Sequence, residues 1–406
     1  MRIGIFTDTY PPYINGVSTS ILMLQHALEK LGHTVYIVTV NAEKMAYKYE
    51  NEDKIIRIPG ILTGIYDYRL TGIYPLKIVS KIKKWNLDVI HTHSEFSVGI
   101  FARIIAKQFS IPIVHTYHTL YEDYVHYITK GYFDKSSKKI VEYLTKFYCD
   151  KTATELIVPT KKIYNLFKEK YKIDKNIHIV PTGIEIERFY RENYNQKEID
   201  AFKKSLGFKK SDFIILSVSR IAQEKNVPLL LDAQEEIYKK HKNCKLLIVG
   251  DGPDLESLKE KYKENKSITF VGKVPYEEVV KYYLVANIFA TASRTETQGL
   301  TVIEASAASI VPICIEDESF LSVIIDDLNG RIFKDKKEYI KIIDELILDK
   351  SKLKRLSNQA RISSDAYSSK YYAQRVIDVY NVAINSYKNK KKFFKKAKKE
   401  EELNEK

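Results

Sequence analysis

The sequence predicts an α/β fold of two doubly wound, Rossmann-like domains that face one another across a cleft. Three observations predict it. Short apolar runs rich in Ile and Val recur with helical stretches between them. The series stops and restarts once. The chain, at 406 residues, exceeds what one ordinary core holds.

The first series of runs comprises Arg2 to Thr7, Thr34 to Val40, Val89 to His93, Ile113 to Thr116, Leu156 to Val158 and Ile177 to Val180. Each is short and apolar at consecutive positions, as are strands of a parallel sheet covered by helices on both faces. A polar, strongly charged stretch from Glu185 to Asp212 interrupts the series. It restarts with Phe213 to Val218, Lys245 to Val249, Ile268 to Val271, Ile288 to Ala290 and Val311 to Ile315, and helical patterns follow from Lys337. These breaks set a first domain over 1–185, a second over 200–370, and a C-terminal helix with a basic tail over 371–406. In doubly wound sheets ligands lie beyond the carboxyl ends of the strands, so the residues after each run are the candidates for chemistry.

Composition narrows the partners. A formal charge of +14 favours phosphates, acidic lipid headgroups or nucleic acid without choosing among them. Cys149, Cys244 and Cys314 are far apart and form no CxxC, which suggests buried thiols in a reducing cytosol rather than disulfides or zinc. The N-terminus enters a strand pattern with no signal-peptide succession, and no run of about 18 apolar residues argues for a spanning helix. Membrane contact is therefore expected to be peripheral.

Several strand-end segments can carry chemistry. The first run ends at Thr7-Asp8 and leads through Asn15-Gly16 into a helix. A glycine there lets a phosphate approach backbone N–H groups at a helix N-terminus, although a plain Asn-Gly turn explains the same residues. Arg220 and Lys225 follow the first strand of the second domain, where two cations can neutralise a diphosphate; a solvated loop with a Lys-Glu pair is the alternative. Gly250-Asp251-Gly252 can admit a ligand or merely turn the chain. Gly299 interrupts the segment from Ser293 to Ala305, so Glu296 is expected in a loop and Glu304 in the first turns of a helix. A carboxylate near a helix N-terminus suits a ribose diol, and also simply complements the helix dipole. His91 and His93 lack a ligand set and read as strand-end histidines in a polar cleft.

The order of these segments resembles the retaining family 4 glycosyltransferases of the GT-B fold. Glu296 and Glu304, with seven residues between them, resemble that family's paired-glutamate motif. Arg220 and Lys225 resemble its donor-diphosphate pair, and Pro181 to Glu185 its interdomain signature. Asn15-Gly16 resembles its glycine loop, where many members carry two adjacent glycines. The likeness covers nearly the whole chain in order. Two stretches, His115 to Tyr127 and Glu296 to Thr301, are similar to those of the branch that glucosylates diacylglycerol in Gram-positive bacteria and mollicutes.

The resemblance implies that His118 lines the transferred sugar and that Glu296 holds the donor sugar's hydroxyls. It implies that Arg220 and Lys225 hold the phosphates and Glu304 the ribose, with Gly16, Asp251, Gly252, Gly299, Leu300 and Thr301 completing the donor site. His118, Glu296, Arg220 and Lys225 are the implied catalytic set. The implied reaction moves glucose from UDP-glucose to the sn-3 hydroxyl of 1,2-diacylglycerol with retention. It uses no tightly bound cofactor, no metal held by the protein, and Mg2+ at most as a stimulant. The donor is expected in the second domain and the acceptor in the first. Tyr117, Tyr121, Tyr124 and Tyr127, with Asp123 among them, could line an acceptor entrance or form a helix packing face.

Two segments bear on the membrane. Lys77, Lys81 and Lys84 recur with Ile78, Ile82 and Trp85 at helical spacing, which suits either an anionic bilayer with Trp85 at its interface or a helix covering a sheet. The tail from Lys388 to Lys399 holds eight lysines and no acids. Both fit a peripheral enzyme on the cytoplasmic face, bound to anionic phospholipid, with no nucleic acid as partner. Three rivals stay open: a family member acting on a glycolipid or phosphatidylinositol, a dinucleotide oxidoreductase lacking the G-x-G-x-x-G fingerprint, and a nucleic-acid-binding protein argued from charge alone.

Overall fold

The computed structural model describes the chain apart from residues 14–15, 42–49, 52, 63–68, 73–75, 96, 119–141, 144, 297 and 405–406; of 50, 51, 62, 70 and 393–404 it describes the backbone alone. Its contacts divide the chain into two compact units, Met1–Gly183 with Ser369–Lys406, and Ile184–Ser368.

The first unit is built from β1 (Arg2–Phe6), β2 (Thr34–Val40), β3 (Glu50–Asn51), β4 (Ile55–Ile58), β5 (Gly60–Leu62), β6 (Arg69–Thr71), β7 (Val89–Thr92), β8 (Ile113–Thr116), β9 (Glu155–Val158) and β10 (Ile177–Ile179). Eight of these form one sheet in the order β10-β9-β8-β7-β1-β2-β4-β3, and β5 and β6 form a separate antiparallel pair. All ladders of the large sheet are parallel except β3 with β4. Strand β1 pairs with both β2 and β7, so the winding reverses direction between β1 and β7. That reversal opens a crevice at the carboxyl ends of the two strands.

Both faces of the sheet are covered, which is why its strands are apolar at successive positions. Ile78, Ile82 and Trp85, from the helix Leu76–Lys84 and just after it, join Phe101 and Ile105 of the helix Ser97–Phe109 over Phe6, Val38 and Ile90. Trp85 is buried and stacks on Tyr36 with ring centroids 4.6 Å apart. This corrects the bilayer reading of that helix: its apolar stripe and its tryptophan cover the sheet, while Lys83 and Lys84 remain on the surface and Lys81 is half-buried.

On the opposite face, Ile21, Leu24 and Leu28 of the helix Gly16–Lys30 pack with Tyr372, Val376 and Tyr380. The last three belong to the C-terminal helix Ser369–Asn404, whose buried residues recur at three- and four-residue spacing. The segment from 369 onward is thus an integral layer of the first unit. Its periodicity marks an amphipathic helix but carries no information about which sheet it covers.

The second unit is a six-stranded, wholly parallel sheet in the order β13-β12-β11-β14-β15-β16. Its strands are β11 (Phe213–Val218), β12 (Cys244–Val249), β13 (Ile268–Gly272), β14 (Ile288–Thr291), β15 (Val311–Ile315) and β16 (Arg331–Phe333). Here β11 pairs with β12 on one side and β14 on the other, which puts the reversal between β11 and β14. The strands that apolar runs did not reveal, β3 to β6 and β16, are mostly two or three residues long, and all but β5 carry polar or charged residues. Among the described residues no helix is long and apolar enough to cross a membrane.

Candidate active site

In the second unit, the loops after β11 and β14 meet at the reversal point. Arg220 is half-buried, with Glu224 at 4.0 Å. Lys225 lies in the short turn Gln223–Lys225, and its Nζ forms an ion pair with Glu296 Oε1 of the loop after β14. A cation from one strand end and a carboxylate from the other therefore touch across the crevice. The Ser319 hydroxyl donates to the Glu296 carbonyl at 2.5 Å, which fixes the loop backbone.

Gly299 begins the helix Leu300–Ala307 with a left-handed φ of 78°. A Cβ there would sit 2.6 Å from Cε1 of Phe320, so both conformation and space require glycine. Leu300 and Thr301, half-buried, form the first turn, which holds no acidic residue. Glu304 lies one turn further in and is buried, so a dipole-complementing role in the first turn does not account for it. The Tyr283 hydroxyl donates to its Oε2 at 2.6 Å. Burial raises the Glu304 carboxyl to about 7 against the opposing effects of the Tyr283 bond and of Arg188. Replacing such a group by an apolar one of similar volume ordinarily costs a fold nothing, so a buried, imperfectly compensated acid points to a ligand.

The loop after β12 has a different logic. A Cβ on Gly250 or Gly252 would meet the carbonyl oxygen of Ser219 at 1.8 Å or of Ile221 at 2.2 Å. Ile221 donates its backbone N–H to the Asp251 carbonyl at 2.9 Å, and exposed Asp251 accepts the Gly252 N–H at 2.7 Å. These glycines let the loop lie against the segment that carries Arg220.

In the first unit, histidines gather at the carboxyl ends of β7 and β8. His91 bonds Tyr380 and Thr116 at 2.7 Å each. His115 bonds Thr92 at 2.8 Å and Glu95 at 3.0 Å. His93 Nδ1 lies 2.8 Å from Nε2 of His118, and the two rings stack. Burial, reinforced by neighbouring imidazoles, holds His91 and His93 well below the usual histidine range, and burial brings His118 down to about 4. The cluster is neutral at physiological pH, which suits hydroxyl groups rather than anions. Asp8, after β1, accepts from Ser97 at 3.2 Å and from the Val98 N–H at 3.1 Å; burial lifts its carboxyl to about 6. Among the described residues no group of three or more His, Cys, Asp or Glu is arranged to hold a metal ion.

Residues 14–188 match the model described as Glycosyltransferase Family 4, and residues 198–363 that described as Glycosyl transferases group 1. The alpha-monoglucosyldiacylglycerol synthase of Acholeplasma laidlawii is 38% identical over 98% of this chain and 100% of that protein. The enzyme of the same name from Streptococcus pneumoniae is 35% identical over 95% of this chain and 87% of that protein. The chain is a family 4 glycosyltransferase. Solved structures agree on the GT-B fold. Sucrose-phosphate synthase from Thermosynechococcus elongatus superposes with a TM-score of 0.74 at 18% identity, covering 95% of this chain and 99% of that one. Anabaena HepE in complex with UDP gives 0.71 at 13% identity, covering 94% and 100%.

Within this glycosyltransferase, Lys225 and Glu296 meet, Glu304 takes a separate buried place beside Tyr283, and His118 stands with the histidine cluster of the other unit. Gly16 opens its helix, and among the described residues nothing lies within 4 Å of an added Cβ, so packing against them does not explain the glycine. Tyr117 departs from the acceptor-entrance expectation. It is fully buried directly after β8 and packs on Phe167 with centroids 4.7 Å apart, in a core with Leu156, Val158 and Tyr171. Tyr121, Asp123, Tyr124 and Tyr127 lie outside the described residues. Sequence reasoning passed over Tyr283 and Asp8. A charged residue directly after the first apolar run was the available signal for Asp8, and nothing local distinguishes Tyr283 from other helical tyrosines.

Proposed function

We propose that this enzyme transfers glucose from UDP-glucose to the sn-3 hydroxyl of 1,2-diacylglycerol with retention, giving α-monoglucosyldiacylglycerol at the cytoplasmic face of a membrane. The acceptor reading is supported above all by identity over almost the full length to two proteins named as monoglucosyldiacylglycerol synthases. The donor reading is supported by two cations, a loop carboxylate and a buried carboxylate in one unit.

In this reading the diphosphate takes Lys225 away from Glu296 and draws on Arg220, which stabilises the charge that grows as the sugar leaves. Glu296, released, accepts hydrogen bonds from glucose hydroxyls, and Glu304 accepts them from the ribose diol. His118 offers a neutral imidazole to the sugar. The bond from C1 to the β-phosphate oxygen breaks, and the sn-3 oxygen bonds to C1 on the same face. The hydroxyl proton passes to the departing phosphate, so no covalent sugar forms on Glu296. No metal held by the protein is needed for these steps, and surface lysines with the basic tail attract anionic phospholipid.

The test is incubation with radiolabelled UDP-glucose and diacylglycerol in vesicles with and without anionic phospholipid. Labelled α-glucolipid that rises with anionic lipid and is lost in Glu296→Ala is the expected result. Label moving only to a glycolipid or phosphatidylinositol acceptor overturns the acceptor, and no use of any nucleotide sugar overturns the donor.

A further inference from the structure

The environment of Glu304 carries one step more, resting on the reading of Glu304 as the ribose partner. Tyr283 is fully buried in the helix Tyr276–Val285. Its ring is held edge-on by Phe189, with centroids 5.5 Å apart, and lies stacked with Phe289 at 6.1 Å. The hydroxyl has two acceptors in reach: Glu304 Oε2 at 2.6 Å and, more distantly, the Thr301 carbonyl at 3.5 Å. The short contact is of the length found for a hydroxyl donating to an ionised oxygen. It engages one carboxylate oxygen and leaves Oε1 to accept from something else.

The other groups that face Glu304 are few. Arg188, from the turn Ile186–Phe189, acts on it at a distance. Its guanidinium is engaged by the Tyr276 carbonyl at 2.7 Å and lies over the Tyr276 ring at 4.5 Å. Tyr276, in the first turn of the same helix as Tyr283, is half-buried with a covered hydroxyl, and desolvation holds its phenol protonated. No cation touches the carboxylate among the described residues, so the Tyr283 hydroxyl is its direct donor.

We propose that Tyr283 is a positioning residue for nucleotide recognition: its hydroxyl pins Oε2 of Glu304, keeping the group ionised and oriented so that Oε1 receives the ribose diol. Tyr283 touches no ligand itself. It favours the charged form of a carboxyl that burial pushes toward neutrality, and it fixes the side chain against rotation before the nucleotide arrives. A purely structural tyrosine would fill the same space among the phenylalanines but would not discriminate between ligands.

The test compares binding of UDP-glucose and of its 2′,3′-dideoxyribose analogue to the full chain by calorimetry, in the wild type and in Tyr283→Phe, which keeps the packed ring. The wild type is expected to prefer UDP-glucose, with the preference fading as the pH falls through about 7. In Tyr283→Phe the preference shrinks about tenfold at neutral pH, the effect of one hydrogen bond to a charged group. It then recovers toward about pH 9, where the carboxyl is ionised without help. If the wild type binds both ligands equally, the ribose role of Glu304 falls. If the wild type discriminates and Tyr283→Phe discriminates as well at every pH, that role stands and the positioning role of Tyr283 falls. Should Tyr283→Phe not fold, Tyr283→Met, which fills the apolar space without a hydroxyl, takes its place, and discrimination equal to the wild type at every pH in that variant overturns the positioning role.

Discussion

Replacing Glu304 by Gln should make the second unit more stable while weakening donor binding. The carboxyl is held at about 7 against an ordinary 4.5. The unfolded chain releases the proton near 4.5, whereas the folded chain keeps it up to about 7. Stability therefore falls as the pH rises through that window, and the whole cost is present above it. At about 1.4 kcal/mol per pH unit the cost is about 3 kcal/mol. Glutamine carries no charge to desolvate, and its carbonyl can still accept from Tyr283. The variant should gain up to about 3 kcal/mol at about pH 8 and almost nothing at about pH 4.5. Urea unfolding at the two pH values provides the assay. Trp85, the single tryptophan, lies in the first unit, so its fluorescence reports that unit and far-UV circular dichroism must follow the second. UDP-glucose affinity should fall about tenfold or more. A variant destabilised equally at both pH values would refute the reasoning, as would one that binds the donor normally.

Three further outcomes follow from the same contacts. Gly299→Ala must place a Cβ at a φ of 78° and 2.6 Å from the Phe320 ring; it should lose about 2–4 kcal/mol in unfolding experiments, with part restored when Phe320→Ala removes the clash. Lys225→Ala and Glu296→Ala each remove one member of a partly buried ion pair, so the double variant should melt higher than the two single effects predict, with a coupling of about 0.5–3 kcal/mol. Additive melting shifts would show that the ion pair does not form in solution. Trp85→Ala should lose about 3–5 kcal/mol of stability and leave vesicle binding of the folded protein unchanged. Lys83→Glu with Lys84→Glu should instead weaken binding to anionic vesicles by about 1 kcal/mol per residue; a loss of vesicle binding on Trp85→Ala would reinstate an interfacial role.

What could be read in advance depended on how local its cause was. Buried parallel strands such as β11 and β15 must be apolar on both faces, so Phe213–Val218 and Val311–Ile315 announce themselves. The left-handed start of the helix at Gly299 was legible for a similar reason, since glycine is the residue that tolerates it at low cost. By contrast, Trp85 and Lys84 are adjacent in sequence, and periodicity alone suits a bilayer or a sheet equally. Only the position of Tyr36, on a neighbouring strand, decides which surface the tryptophan meets. The C-terminal helix is illegible in the same way, because Tyr380 bonds His91, 289 residues earlier in the chain, and Tyr372 packs with the still earlier Ile21 and Leu24.

The two glutamates separate along this line. Glu296 sits in a loop, where a carboxylate is ordinary, and its pairing with Lys225 satisfies the charge of both groups. Its geometry alone would be compatible with a structural ion pair, so the case for Glu296 rests on the loop's place at the reversal between β11 and β14. Glu304 makes the opposite case. Its helix would be more stable with an uncharged side chain at that position, and Tyr283 compensates the buried carboxylate only in part. An acid that a fold keeps at a cost of about 3 kcal/mol needs a use, and a hydroxyl-rich ligand that donates to Oε1 supplies the missing compensation at the moment of binding. Donor binding should then release the strain that the unliganded unit carries: saturating UDP-glucose should raise the melting temperature of the wild type more at about pH 8 than at about pH 5, and Glu304→Gln should lose that difference.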